Sequence, residues 1–433
     1  MIQIEIGNSY STIKGLSKTE EVQIKAFLSY TVGGSSARFS RFGPRKKSLV
    51  SKRGEFPTGL ITRLIGFLLK YDLKFEVKDL RIKPAIKPSF VPGGITLRHY
   101  QIDAIEAFKR EERGIISSAT GTGKSLMIAG IIGAMNIRTL VIVPNLELKR
   151  QLTETLSSLM RIGDSIIVEN IDSKSLKNHK NFDLLIIDEA HHTASETYQK
   201  LNKTAWNDIY YRCFLTATPF RNDKEETLLF ESIAGDCIFE LDHMDAVDLG
   251  AIVPVEGYYV DVPKQHTDAY TYSQVYSQLV VNNEYRNQQV GVLLARLNAE
   301  GKSTLCLVKE IKHGEILSEL TGFPFVNGQD TESRAFIETF NAGKVKTLIG
   351  TTGVIGEGVD TKPCEYVVVA SPGKAKSQFM QQIGRAVRTY NGKSSAKVII
   401  FRDSSHKFLL RHYKAQAKIL LDNYRTLVVK LDL

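Results

Sequence analysis

The chain has 433 residues, of which 42% are hydrophobic and 24% are charged, and its formal net charge is +10. These values are typical of a globular protein of about three domains. No apolar run approaches the roughly 20 residues of a membrane span, no signal-peptide pattern opens the sequence, and the four cysteines form no CxxC pair. We therefore expect a cytoplasmic protein without a membrane partner, and we expect neither structural zinc nor a disulfide framework.

The basic excess lies in the N-terminal fifth of the chain, where residues 1–90 hold 17 Lys and Arg against 7 Asp and Glu. Apolar periodicity predicts strand, helix, basic loop, helix and strand in this small α+β domain. The breaker-rich segment 81–94 that follows is typical of an interdomain linker.

The basic loop interleaves phenylalanine rings with cations and contains no acidic residue. This pattern suits stacking on exposed bases while Arg and Lys hold phosphates. The alternative is a solvated basic surface, with both phenylalanines in the core of the small domain. The candidate nucleic-acid contacts here are Arg38, Phe39, Arg41, Phe42, Arg45, Lys46 and Lys47.

The stretch 118–125, SATGTGKS, predicts a phosphate-binding loop between a strand end and a helix. Two glycines let successive N–H groups face the phosphates at the helix N-terminus. Lys124 would reach the β- and γ-phosphates of ATP, and the Ser125 hydroxyl would hold Mg²⁺. An earlier glutamine, Gln101, could read an adenine through its amide. The nucleotide-binding candidates of the loop are Thr120, Gly121, Thr122, Gly123, Lys124 and Ser125.

Continuous apolar runs after this loop predict buried strands of a parallel sheet, among them 139–143 and 184–187. The second run is followed directly by Asp188 and Glu189, and acids at the carboxyl end of such a strand lie where α/β sheets bind ligands. Asp188 would complete the Mg²⁺ shell, and Glu189 would orient and deprotonate the attacking water. The next two histidines, His191 and His192, lack a third ligand at useful spacing, so zinc is not expected.

Further apolar runs extend through the second half of the chain. Residues 213–215 lead into the hydroxyl-rich segment TATP at 216–219, and 304–308, 347–350 and 366–369 predict further strands. We interpret 242–263 as a crossing between two halves, 258–285 as largely helical, and 381–388 as part of a helix.

The motifs ATGTGKS, DEAH and TATP, in that order, resemble the core of helicase superfamily 2 over about residues 97–403. The pattern QQIGRAVR at 381–388 matches the arginine motif of that family. The resemblance implies an α/β fold with two tandem RecA-like parallel-sheet domains, at 91–245 and 246–433, preceded by the small basic domain 1–90.

The same resemblance implies several residue roles and the cofactors ATP and Mg²⁺. Arg385 and Arg388 would be arginine fingers acting on the transferring phosphoryl group. Gly358 and Asp360 would contribute to the nucleotide site. Contacts with nucleic acid would come from Pro144, Thr351 and Thr352.

Within the superfamily, the small basic N-terminal domain and the Leu-Arg-x-Tyr-Gln start resemble the XPB-like group, and most of all the UvsW-type branch-migration helicases of phages. That likeness implies an ATP-dependent enzyme that remodels branched or duplex DNA, in a bacterial cytoplasm if a phage encodes it. An ATP-gated clamp and an RNA helicase are the alternatives. A monomer is expected, although the sequence leaves the oligomeric state open.

Overall fold

The computed structural model describes residues 1–32, 45–177, 181–218, 224–328, 332–353, 364–390 and 392–433. The chain forms two compact units, one made of Met1–Ser118 with Gly123–Leu241 and the other of Ala119–Thr122 with Asp242–Leu433. Within these described ranges, no helix has the length and apolar character that crossing a bilayer requires.

The first unit begins with a four-stranded mixed sheet in the order β5-β2-β1-β6, packed on two helices. Ser17 caps the first helix in a capping box with Glu20, which explains where that helix starts. The first strand and both helices confirm the predicted α+β domain, whereas the intervening strands carried too few apolar residues to be predicted. The elements are β1 Ile2–Ile6, β2 Tyr10–Lys14, α1 Lys18–Phe27, β3 Ser29–Val32, β4 Arg45–Ser48, β5 Glu55–Pro57, α2 Ile61–Lys70 and β6 Phe75–Asp79.

The segment 80–98 has no regular secondary structure, as its prolines and glycines predict. It is nevertheless fastened to the rest of the first unit. The Phe90 N–H donates to the Gly133 carbonyl at 3.0 Å, and the Gly93 N–H donates to the Leu159 carbonyl at 2.8 Å. The segment is therefore hydrogen-bonded to this unit and is not a free linker.

A six-stranded, all-parallel sheet in the order β12-β7-β11-β10-β8-β9 forms the rest of the first unit. Its central strands are buried on both faces, as continuous apolar runs predict. The elements are α3 His99–Glu111, β7 Arg113–Ser118, α4 Lys124–Met135, β8 Thr139–Val143, α5 Leu146–Leu159, β9 Ile166–Asn170, β10 Leu184–Ile187, α6 Glu196–Lys203, β11 Tyr211–Thr216, α7 Lys224–Ala234 and β12 Cys237–Leu241.

The second unit contains a seven-stranded, all-parallel sheet in the order β15-β16-β14-β17-β18-β13-β19. The prediction of two tandem parallel-sheet α/β domains is thereby confirmed. The elements are α8 His243–Asp248, β13 Val255–Val262, α9 Tyr272–Tyr276, α10 Glu284–Ala299, β14 Thr304–Val308, α11 Ile311–Thr321, β15 Phe325–Val326, α12 Ser333–Asn341, β16 Thr347–Thr351, β17 Tyr366–Val369, α13 Lys376–Gly384, β18 Ala396–Asp403, α14 Lys407–Tyr424 and β19 Val428–Lys430.

Three sequence interpretations of the second unit are wrong. The segment 242–263 is not a mere crossing, and 258–285 is not largely helical, because Val255–Val262 is a strand paired along its whole length with β18. The helix of the arginine motif ends at Gly384, so Arg385 and Arg388 lie beyond it. Arg385 and Ala386 form a turn, Arg388 pairs with Ile252 in an isolated antiparallel bridge, and the Val253 N–H donates to the Val387 carbonyl at 2.8 Å.

The close approach between the N-terminal domain and helix α7 gives a test of this packing. A Cβ atom on Gly59 would contact the Glu231 carbonyl oxygen and lie 2.6 Å from that of Ser232. We expect Gly59→Ala to lower the free energy of unfolding by about 1–3 kcal/mol, because backbone atoms would have to shift. The measurement is urea unfolding followed by the fluorescence of Trp206, the one tryptophan of the chain.

Gly66→Ala is the matched control for this substitution. A Cβ atom at Gly66 meets nothing within 4 Å, and the residue lies inside helix α2, so alanine should raise stability by about 0.5–1 kcal/mol. Equal urea midpoints for Gly59→Ala and Gly66→Ala would contradict the close packing of Gly59 against helix α7.

Candidate functional site

The phosphate-loop sequence forms the turn between strand β7 and helix α4. Gly121 and Gly123 have positive φ angles of 95° and 84°, which glycine adopts without strain. The Thr122 hydroxyl donates to the Ala119 carbonyl at 2.7 Å and fixes the turn. Helix α4 begins at Lys124, so its first N–H groups and the positive end of its dipole lie at the loop. The loop therefore has the geometry of an anion site.

The two acidic residues of the DEAH motif lie beside this loop. The Nζ atom of Lys124 is 3.8 Å from Oε1 of Glu189, and both side chains are at least four-fifths buried. Glu189 has a left-handed backbone with a φ of 47°, and its N–H donates to Oδ1 of Asp188 at 2.9 Å. A cation, a candidate base and a second carboxylate thus converge at the carboxyl end of strand β10.

Asp188 has a perturbed pKa. Its burial, and secondarily the neighbouring charge of Glu189, raise the pKa of the Asp188 carboxyl to about 6, while Lys124 partly offsets both effects. A cation brought to its oxygen atoms would favour the ionised form. Because carboxylate and hydroxyl oxygens are the ligands that Mg²⁺ prefers, Asp188 and Ser125 fit this ion.

A side chain of the DEAH motif also connects the acids to the TATP segment. Nδ1 of His191 is 3.4 Å from Oε2 of Glu189 and 3.3 Å from the hydroxyl oxygen of Thr216. That hydroxyl also accepts from the Thr218 N–H at 3.2 Å. Sequence reasoning considered His191 only as a metal ligand and missed this link. The one available signal was the position of hydroxyls at the end of a neighbouring strand.

Gln101 is buried rather than exposed, with 2% of its surface accessible. Its Oε1 accepts from the Arg98 N–H at 3.0 Å and so caps helix α3. Its Nε2 lies against the phosphate loop, 2.6 Å from where a Cβ atom on Gly123 would be. The residue is therefore next to the candidate nucleotide site, and adenine recognition by its amide stays a prediction.

The arginine motif of the second unit is held by a lysine. Nζ of Lys393 donates to the carbonyl oxygens of Cys364, Ala386 and Arg388, the last at 3.1 Å. Burial lowers the pKa of Lys393. Three carbonyl partners on one ammonium group fix the turn that carries Arg385 and Arg388, of which Arg385 is buried.

The tip of the phosphate loop, Ala119–Thr122, is part of the second unit. Within that unit, a Cβ atom on Gly384 would lie 2.7 Å from Cβ of Thr120, and one on Gly121 would lie 3.4 Å from Cγ of Arg388. The loop tip and the arginine motif are therefore packed against each other.

The predicted nucleic-acid contacts fall into three groups. Pro144 follows strand β8. Thr351 is the last residue of strand β16, and Thr352 follows it. All three lie at the carboxyl edges of the two parallel sheets. Lys46 and Lys47 are exposed on strand β4, which pairs with β3 in an antiparallel hairpin. Arg45 begins the same strand. The candidates Arg38, Phe39, Arg41 and Phe42, together with Gly358 and Asp360 of the nucleotide site, lie outside the described residues.

Two protein-family models match the chain. "Type III restriction enzyme, res subunit" matches residues 94–181 and 162–221, and "Helicase conserved C-terminal domain" matches residues 286–390. These matches fall on the phosphate loop, the acids and the arginine motif. The chain belongs to helicase superfamily 2. The resemblance found from the motifs is thereby confirmed.

Relatives of this superfamily 2 protein are distant. The Rad25 protein of Halobacterium salinarum is 26% identical over 73% of the chain, which covers only 56% of the length of that relative. The "ATP-dependent DNA helicase uvsW" of phage T4 is 22% identical over 71% of the chain and 68% of its own length. A solved structure of the restriction-modification enzyme LlaBIII has the same fold, with a TM-score of 0.58 at 17% identity over 78% of this chain and 31% of that one.

The hydroxyl of Thr216 gives a test of the link between the two motifs. We expect Thr216→Val to lower the free energy of unfolding by about 1–3 kcal/mol, because this isosteric change removes the hydroxyl that His191 and the Thr218 N–H share. Thr216→Ser keeps the hydroxyl and is the control. The measurement is urea unfolding, and equal stability of the valine and serine variants would argue against the link.

Proposed function

We propose that this superfamily 2 protein is an ATP-dependent DNA translocase that remodels branched DNA by fork regression or branch migration. The observation that carries the proposal is the placement of Lys124 3.8 Å from Glu189 beside an anion-binding loop. A helix N-terminus, a buried ammonium group and a candidate general base are the parts that phosphoryl transfer to water requires.

In this proposal each side chain has a separate task. Mg²⁺–ATP supplies the phosphoryl group whose transfer to water drives the cycle. Lys124 and the loop N–H groups bind the phosphates, and Asp188 and Ser125 hold the metal ion. Glu189 orients the attacking water and accepts its proton. Arg385 and Arg388 stabilise the charge on the transferring group, an effect worth about 10³–10⁵ in rate.

The assignment of DNA as the partner rests on charge and on the relatives. The first unit presents the exposed Lys46 and Lys47 on its hairpin, and a cationic surface of this kind neutralises phosphates. The T4 relative is named a DNA helicase, and this supports DNA over RNA. The remodelling of branched molecules rests on the resemblance of the sequence to UvsW-type branch-migration helicases. An ATP-gated clamp and an RNA helicase are the competing functions, because both would use the same ATP site.

Displacement of a third strand from a DNA triplex distinguishes a translocase from a clamp. We expect the wild-type chain to displace the strand only in the presence of ATP. Lys124→Ala should stop both displacement and ATP hydrolysis because it removes phosphate binding, and Glu189→Gln should do so because it removes the proton acceptor. Both variants should still bind DNA.

Glu154→Gln is a matched control, because Glu154 is an exposed carboxylate of the same unit that pairs with Arg150 at 2.7 Å. Hydrolysis at the wild-type rate in Glu189→Gln would refute the role of that residue. ATP hydrolysis without displacement would favour the clamp, and stimulation by RNA alone would favour the RNA helicase.

The hairpin predicts a specific salt dependence of DNA binding. In the double variant Lys46→Gln/Lys47→Gln, we expect weaker binding to duplex DNA and a less steep dependence of log K on log salt concentration. The slope should fall by about 0.9 for each phosphate contact that is lost.

Lys74→Gln/Lys87→Gln removes the same charge from exposed positions of the N-terminal segment outside the hairpin. This control should bind with the wild-type slope. If the two double variants lose affinity and slope equally, the effect comes from net charge and the hairpin is only a solvated surface.

A further inference from the structure

A pocket of about 430 Å³ opens at the carboxyl edge of the sheet in the second unit. Lys309 and Thr352 line it from the ends of strands β14 and β16, and Ser371 lines it from the segment after β17. Helix α9 contributes Tyr272, and helix α14 contributes Phe408, Arg411 and His412. Its volume is in the range of about 300–1,000 Å³ that is typical of ligand sites. Helix α13, which carries the start of the arginine motif, contributes Gln378, Phe379 and Gln382, whereas helices α9 and α14 carry no motif used in assigning the function.

The pocket is cationic. Lys309, Lys374 and Arg411 line it and are exposed, and its lining contains no Asp or Glu. Among the residues that the structure describes, none of the three cations makes an ion pair. Their charge is therefore available to an anion from outside. Because they come from a strand end, a loop and a helix, they suit anionic groups spread along a ligand rather than one compact phosphate cluster.

Aromatic rings line the pocket together with these cations. The ring of Tyr272 lies 5.9 Å from that of Phe408 at 81° and 5.3 Å from that of His412. Nζ of Lys309 is 5.6 Å from the centre of the Tyr272 ring. A planar, electron-rich ligand can stack on such rings in many orientations.

His412 adds a hydrogen-bonding atom without a protein partner. The residue is 7% exposed, and its Nδ1 has no hydrogen-bond partner among the described residues. Its ring donates to the backbone of Pro372, while burial and the nearby cations Lys374, Arg411 and Lys309 lower its pKa. Nδ1 of the neutral ring is then an acceptor, which the N–H group of a base would satisfy.

Two hydrogen bonds at the pocket meet at the Ser371 hydroxyl. The Lys309 N–H donates to the Ser371 hydroxyl oxygen at 2.7 Å, and the hydroxyls of Tyr276 and Ser371 are 2.8 Å apart. Nε2 of Gln378 also donates to the Thr352 hydroxyl at 3.2 Å. These hydrogen bonds fix the part of the pocket that lies at the strand ends.

We propose that this pocket binds one unstacked nucleotide of a nucleic-acid strand, with the base against Tyr272 and Phe408 and the neighbouring phosphates on Lys309, Lys374 and Arg411. The inference rests on the proposed function, since it assigns a contact with the strand along which the protein moves. A base removed from the stack at this point is separated from its partner strand, and a branch-remodelling enzyme needs that separation.

Binding of fluorescein-labelled oligothymidylate, and of the same strand with abasic residues, tests the base contact by fluorescence anisotropy. We expect Tyr272→Leu to weaken binding of oligothymidylate at least about fivefold, because one stacked base is lost, and to leave binding of the abasic strand unchanged. Tyr272→Phe keeps the ring and should bind both strands as the wild type does. Equal losses on both strands would overturn the stacking role.

The phosphate contacts are tested with a pair of substitutions on one helix. Arg411→Gln should lower the slope of log K against log salt concentration by about 0.7 on single strands. Lys414 is exposed on the same helix and does not line the pocket, so Lys414→Gln should keep the wild-type slope. Because both residues are on the surface, these variants should fold even if Tyr272→Leu does not.

Two further results separate this inference from the proposed function. If ATP-driven strand displacement works while Tyr272→Leu and Arg411→Gln bind oligothymidylate like the wild type, the pocket inference fails and the function stands. If displacement fails but the ring- and charge-dependent binding is observed, the pocket stands without the translocase. Thymidine monophosphate that competes as strongly as the strand would reassign the pocket to a free nucleotide.

Discussion

The alignment of four neighbouring strand ends in the first parallel sheet determines the candidate site. Strands β7, β11, β10 and β8 are adjacent, and their carboxyl ends carry the phosphate loop, the TATP hydroxyls, the acids and Pro144. The register pairs Ile187 with Phe214 and Thr216 with Ser117. Because both faces of these strands are buried, a slip by one residue would place every side chain on the wrong face. The hydrogen-bonded ladder therefore sets the distance between Lys124 and Glu189.

The strand ends of the second sheet are also held in place, in this case by a buried arginine. Arg286 is fully buried, its Nη2 donates to the Ala370 carbonyl at 2.9 Å, and its Nη1 is 3.6 Å from Oδ2 of Asp403. The guanidinium also lies 4.8 Å from the centre of the Phe401 ring. A charge in this position is costly to bury unless it is paired. The pairing fixes the chain just before Ser371, where the cationic pocket begins.

Local signals made much of this structure predictable from the sequence. The strands Thr139–Val143, Leu184–Ile187 and Thr304–Val308 were predicted at the observed bounds because each is a continuous apolar run. The phosphate loop and the acids were recognisable because their residue types occur at fixed spacing. In contrast, strand Val255–Val262 contains a glycine, two adjacent tyrosines and two acidic residues, and its pairing with β18 is what identifies it as a strand.

Contacts between distant residues were beyond the reach of sequence reasoning. The burial of Gln101 against Gly123 and the hydroxyl shared by His191 and Thr218 depend on how the chain folds back on itself. The end of a helix at Gly384 follows from glycine's low helix propensity and from the carbonyl contacts of Lys393. The pocket around Tyr272 joins helices α9 and α14, which are more than 130 positions apart in the sequence and carry no motif.

The close packing of Gly59 against helix α7 has a mechanical consequence. Leu228 of that helix is part of the hydrophobic core of the N-terminal domain, and Glu225 of the same helix accepts from the Thr31 N–H on the hairpin at 2.9 Å. At Gly59, the backbone of the N-terminal domain lies directly against the backbone of helix α7. Helix α7 and the cationic hairpin are therefore joined directly, so that a displacement of the helix would displace the hairpin.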